Sequence, residues 1–140
     1  MAKFYSRSRR GFYDDTVQAI PADGLPVTDA AYAQLLTDQA NGAQILPTAE
    51  GAPYARFPTA AEKRERLAAA TRAEASRRIS AVAPLWKQLN DLRSQTPEGD
   101  QRFASIDSIR AASDQIETDI GATSEANLDT FDISTNVHWP

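Results

Sequence analysis

The chain has 140 residues, a formal net charge of -4 and no cysteine, which leaves room for one ordinary domain or two very small ones and excludes disulfides, thiolate chemistry and cysteine-based metal sites. Apolar residues make up 41% of it but aromatics only 8%, so much of the apolar volume is alanine and the core is expected to be thin. No apolar run approaches the roughly 20 residues of a membrane span, and the first residues lack the apolar centre of a secretory signal, so a cytoplasmic protein with no membrane partner is expected.

The charge is uneven. Residues 1–97 carry thirteen Lys/Arg against ten Asp/Glu, and residues 98–140 carry two against nine. Exposed pairs between the two parts contribute only ~0–1 kcal/mol each, so a solvated surface is the simpler reading.

Near the start, Phe4-Tyr5 and Phe12-Tyr13 stand on either side of a polar turn that ends in Gly11. Aromatics favour strands and glycine supplies the positive φ that longer hairpin loops need, so the pattern predicts a β-hairpin with a cross-strand aromatic cluster. Basic residues interleave with these aromatics, but Asp14 and Asp15 follow at once and the chain is acidic overall. Nucleic acid is therefore not expected as a partner.

Residues 20–26 hold Pro21, Gly24 and Pro26 and read as a connector unable to continue a ladder. Thr28 is placed to cap a helix with Asp29 in its first turn, and Val27 and Tyr32 occupy hydrophobic-staple positions. Tyr32, Leu35 and Leu36 share a face until Asn41-Gly42 stops the helix. Gln44 to Pro47 and Tyr54 to Phe57 flank the turn residues 48–53 and read as a second hairpin.

Thr59 and Glu62 then form a capping-box pair at the head of a long helix. From 60 to 78 the residues are almost all Ala, Arg, Glu and Lys, with Leu67 the only large apolar one. Such a stretch predicts a solvated stalk or a face that packs on something else. Ile79, Val82, Trp86 and Leu89 follow a 3-4-3 spacing, widened by Leu85 and Leu92. Pro84 lies within the run and costs a regular helix ~3 kcal/mol or more, so a kink there, or a break that starts a second helix, is predicted. Core packing is the expected place of Trp86, with partner binding the sharper alternative.

Residues 96–100 read as a reversal, after which Phe103, Ile106, Ile109, Ile116 and Ile120 mark a helix over about 101–120. The short connection predicts an antiparallel helical hairpin. At 1.5 Å per residue the two arms would measure about 54 Å and about 30 Å, so residues 60–75 are expected to project toward the N-terminal unit. Ser124 is placed to cap a short turn containing Leu128, residues 131–134 read as a brief extended piece, and Trp139 is expected to dock on this chain or a partner, since burying an aromatic gains ~1.5–3 kcal/mol.

Reactive groupings are missing from this pattern. His138 is the only histidine, and no nucleophile–base pair, phosphate loop or dinucleotide glycine motif stands at a recognisable spacing. Catalysis, metal binding and a cofactor are not expected; surfaces that bind protein are.

Phe4-Tyr5-Ser6, Gly11-Phe12-Tyr13-Asp14-Asp15, Ile20-Pro21-Ala22-Asp23, Val27-Thr28-Asp29 with Tyr32, Leu35 and Leu36, and then Asn41-Gly42 follow one another in residues 4–58. In this order they resemble the N-terminal region of the tail-fibre assembly proteins of tailed phages and prophages. The ending, with Phe131-Asp132-Ile133 and Trp139-Pro140, is similar as well, whereas the helical block 59–121 lies outside the resemblance. The resemblance implies a chaperone-type protein that binds a trimeric tail-fibre protein, often at its distal tip. Such a protein acts in the host cytoplasm during assembly and in some members stays on the virion tail.

The combined expectation is an α+β chain. Residues 1–58 would form a small β-hairpin/helix/β-hairpin unit that binds the fibre, 59–121 a long, proline-kinked helical hairpin giving a second contact or self-association, and 122–140 a tail. The candidate partner-binding residues are Phe4, Tyr5, Phe12, Tyr13, Trp86 and Trp139, since aromatics are enriched at interface hot spots. Roughly half of the four hairpin aromatics should be buried, because strand neighbours point to opposite faces. The alternative is a permanent structural subunit of the tail fibre or baseplate, its helices bundling between copies.

Overall fold

In the computed structural model, which describes all 140 residues, Phe4 and Tyr5 lie on the central strand of a three-stranded antiparallel sheet. Strand β1 (Lys3–Ser6) pairs with β2 (Gly11–Asp14) so that Phe4 faces Tyr13 and Tyr5 faces Phe12. The tight turn between them is closed by Arg10, at φ 50°, rather than by Gly11. Tyr5 is fully buried, its ring centroid 5.2 Å from that of Phe12, which meets Tyr32 edge-on at 5.0 Å.

The residues expected to form only a connector supply the third strand. β3 (Gly24–Val27) pairs antiparallel with β1 on the side away from β2, with Pro26 opposite Phe4. An edge strand tolerates proline because its outward N–H has no ladder partner to lose. Asp23 ties this strand to the first turn: its carboxylate accepts from Ser6 Oγ at 2.8 Å and from the Ser8 N–H at 2.7 Å. These bonds hold its pKa down at about 2.

Helix α1 (Asp29–Ala40) starts where Thr28 Oγ1 accepts from the Ala31 N–H and stops at Asn41, with Gly42 at φ +97°. Leu35 is its buried residue, while Leu36 stays 41% exposed. The second hairpin joins β4 (Gln44–Pro47) to β5 (Pro53–Arg56) through a turn with Gly51 at φ +97°, and α1 packs against it. These elements make up one compact unit, Met1–Pro58.

The second unit, Thr59–Pro140, is helical. Its first helix, α2 (Ala60–Val82), is capped as its sequence predicts: Thr59 Oγ1 accepts from the Glu62 N–H, and the Glu62 carboxylate accepts from the Thr59 N–H at 2.8 Å. Ala83, extended at φ -154° and ψ 118°, ends it, and Pro84 is the N-cap of a separate helix, α3 (Leu85–Ser94). Pro84 thus breaks the helix outright. Gln95, left-handed at φ 46°, turns the chain, and Thr96 caps α4 (Pro97–Ala122). Residues 97–100 are consequently the first turn of α4 and not part of the reversal, because proline's fixed φ and missing N–H suit the first helical position.

α4 carries most of the core. Ile106, Ile109, Ala112, Ile116 and Ile120 are buried, together with Thr71, Ala75, Ala83 and Leu128. α2 runs antiparallel to it, with Arg72 fork-bonded to Glu117 at 3.0 and 2.6 Å and Arg64 donating to the Thr123 carbonyl at 3.0 Å. The Ala/Arg-rich segment is therefore no projecting stalk. Alanine's small side chain brings α2 close to α4, while the arginines reach around to acceptors on α4 and beyond it. A 3-10 turn, Glu125–Thr130, follows and packs on α2. Phe131 is extended, at φ -65° and ψ 122°, but the piece is short and forms no strand: the chain bends at Ile133 and turns at Ser134-Thr135, where the Asp132 carboxylate accepts from the Thr135 N–H and hydroxyl. Strands confined to the first unit, where α1 accompanies them, and a second unit built of helices make the chain α+β.

Candidate functional site

Two surfaces collect the candidate side chains, one in each unit. In the first unit, β1, β2, the end of α1 and the start of β4 surround a concavity of about 400 Å³. Tyr5, Phe12 and Ile45 give it apolar walls, and Arg10, Gln39 and Gln44 line it with polar groups. Arg10 is exposed on its left-handed turn, and the Asn41-Gly42 stop of α1 delivers Gln44. The Tyr5 hydroxyl is buried without a hydrogen-bonding partner in the protein; burial pushes its pKa up, with the Arg10 charge opposing. The mixture suits an amide or acidic side chain carried on an apolar segment.

Of the four hairpin aromatics only Tyr5 is fully buried, so it lines the concavity but offers no contact area of its own. Phe4, Phe12 and Tyr13 are each partly exposed. The alternation of faces is softened because the sheet has only three short strands to cover either side. A second, shallower hollow beside Phe12 and Tyr13 includes Lys3, Asp14 and Tyr32. Lys3 forms an ion pair with Asp14 there and lies 5.4 Å from the Tyr32 ring centroid. The Lys3 ammonium and two bonds from Thr16 hold the Asp14 carboxyl far below the usual carboxylate range.

In the second unit, α3 presents its apolar side outward. Leu85, Trp86, Leu89 and Leu92 are 70%, 63%, 54% and 61% exposed, so Trp86 is not part of the core. The break at Ala83-Pro84 explains the departure. It resets the helical phase, so that Ile79 and Val82 stay half-buried on α2 while the α3 stripe turns to the surface. The side of α3 that meets α4 carries Asp91, 6% exposed, which accepts from Arg102 Nε at 2.7 Å and Nη2 at 2.6 Å, with Lys87 Nζ at 3.7 Å. Arg102, ahead of the cost of burial, holds the Asp91 carboxyl below the usual range. Rolling α3 to hide its leucines would carry Asp91 out to solvent and leave the part-buried Arg102 without its partner, and separating the members of a buried pair is strongly unfavourable.

Trp139 docks on its own chain. Its indole N–H donates to the Ile133 carbonyl at 2.6 Å, and the Arg78 guanidinium lies 4.8 Å from its ring centroid. Arg78 also donates to Glu74 and to the Ser134 carbonyl, and His138 bonds Asp119 at 2.8 Å. Together these contacts fasten the C-terminal residues to α2 and α4.

Sequence reasoning missed Arg10, Gln39 and Gln44, which come from three separate elements and share no local pattern. It also expected Trp86, on the stripe it shares with Leu85, Leu89 and Leu92, to pack in the core. One signal was present: Asp91 is the residue opposite that stripe, and only a basic partner across the turn, such as Arg102, would let it face inward. Comparison with protein-family models, curated proteins and solved structures finds no match for the chain.

Proposed function

We propose that this chain is a phage tail-fibre assembly protein of the chaperone type, which binds a trimeric tail-fibre protein through its N-terminal unit in the host cytoplasm. The observation that carries the reading is the concavity bounded by Tyr5, Phe12 and Ile45 and fringed by Arg10, Gln39 and Gln44. It lies within the residues whose order resembles the assembly proteins, and it offers an incoming segment both apolar walls and directional donors. Phe12 also borders the shallower hollow that includes Tyr13, which extends the contact, while Phe4, partly exposed, alternates with Tyr5 along β1 toward the other face of the sheet.

The test is co-expression with the fibre protein encoded beside this chain's gene. The expected outcome is soluble fibre trimer with the wild-type chain and a severalfold lower yield with Arg10→Glu or Gln44→Ala. Equal trimer yield without this chain would end the chaperone reading. The outward apolar face of α3 favours a second reading, a permanent subunit of the tail fibre or baseplate. That reading requires a fixed number of copies in purified particles, where a transient chaperone is missing.

A further inference from the structure

We infer that α3 is a self-association surface, on which two copies of this chain pair antiparallel about a twofold axis passing near Leu89. The arrangement of the face alone carries this pairing, whichever fibre the first unit binds. At 3.6 residues per turn, Leu85, Leu89 and Leu92 fall within about 60° of one another around α3, and Trp86 and Arg93 lie side by side, about 20° apart, along one flank. Lys87 and Asp91 are on the opposite side, paired with each other, and Asp91 is paired with Arg102 as well. Arg93 is exposed and is the one charge beside the apolar stripe.

Self-pairing satisfies every one of these groups. A twofold axis perpendicular to both helices reverses the helix direction and keeps the flank on the same side. Trp86 lies ~4.5 Å before Leu89 along the axis and Arg93 ~6 Å after it, so the operation sets the Arg93 guanidinium of one copy over the indole of the other, at both ends of the interface. Leu85 comes opposite Leu92 of the second copy, and Leu89 meets Leu89. No acidic group is needed on the other side, and no like charges are brought together.

The area agrees with a reversible contact. Fractional exposures of 70%, 63%, 54% and 61% correspond to roughly 500 Å² per copy for three leucines and a tryptophan, a patch as large as any that a single molecule ordinarily leaves open. Two copies bury roughly 1,000 Å², the lower end for a specific interface, which implies a dimer that forms and separates over the micromolar range.

The absence of cysteine from the chain allows a direct test on the full-length protein. Sedimentation velocity of the wild type across micromolar concentrations should show monomer passing to dimer. Leu89→Cys should then link to itself under mild oxidation, and Leu85→Cys should link to Leu92→Cys in a mixture far faster than to itself. Leu89→Asp should weaken the dimer at least tenfold with an unchanged circular dichroism spectrum, since the position is exposed, and Arg93→Glu should weaken it by a smaller factor. Should a variant lose its helical signal, Leu89→Gln takes its place. A wild type monomeric at every concentration overturns the inference, as does a dimer that survives Leu89→Asp. Protection of Trp86 only on addition of the fibre protein would give the face to the fibre and overturn it equally.

Discussion

Glu74 shows how the second unit draws on its carboxylates. Arg77 and Arg78 both donate to it, and Arg77, ahead of the opposing cost of burial, lowers its pKa from 4.5 to about 2. Arg78 in turn shields the Trp139 ring, so this carboxylate orients the residue that fastens the C-terminus. A depressed carboxylate pKa adds stability that is complete above the unfolded value and is lost as pH falls through the folded one. Asp91, held low by Arg102, acts in the same sense. Urea unfolding followed by tryptophan fluorescence should therefore give a midpoint that is flat near neutrality and falls between pH 4.5 and about 2. In Glu74→Gln that fall should be shallower, and the midpoint at neutral pH lower. An identical pH profile for the variant would remove Glu74 from this role.

Among the elements, those whose signals are local were legible in the sequence. Thr28 and Thr59 cap α1 and α2, Asn41-Gly42 ends α1, and Pro84 separates α2 from α3, because caps and breakers act on their immediate backbone whatever packs nearby. Replacing Thr59 by Ala should accordingly cost about 1 kcal/mol, seen as a lower urea midpoint for the helical unit with the slope unchanged. The misread elements depend on neighbours distant in sequence. β3 holds a proline and yet pairs, because β1 presents a free edge and Asp23 anchors its start through Ser6 and Ser8. The stripe of α3 has the periodicity of a core helix and faces outward, because the Asp91–Arg102 pair occupies the inner side. The concavity of the first unit was not legible at all, since a hairpin turn, a helix end and a strand start meet there only in three dimensions.

At the scale of the whole chain, the thin core anticipated from an alanine-rich composition is distributed over two units. The first buries Tyr5, Leu35 and Ala43, and the second a line of isoleucines on α4 with Leu128. Small cores leave little margin, and the large apolar side chains that remain outside, on α3 above all, fit a molecule completed by association. The aromatic residues also divide between the units: Tyr5, Tyr13, Tyr32 and Tyr54 all precede Pro58, while Trp86 and Trp139 follow it. Tyrosine and tryptophan signals therefore report on different units. Ile116 is fully buried at the centre of α4, and truncation to Ala should cost ~2–5 kcal/mol through lost burial and the cavity left behind. Gly24 is crowded in the first unit, where an added Cβ would come 2.6 Å from Ile20 Cγ2 and 3.0 Å from the Pro21 carbonyl oxygen. Ile116→Ala should lower the unfolding midpoint read by tryptophan fluorescence and leave the tyrosine absorbance transition in place, while Gly24→Ala should do the reverse. Were either substitution to move both signals together, the two sets of buried residues would have to be treated as one cooperative core, and an assembly role divided between the two units would lose its physical basis.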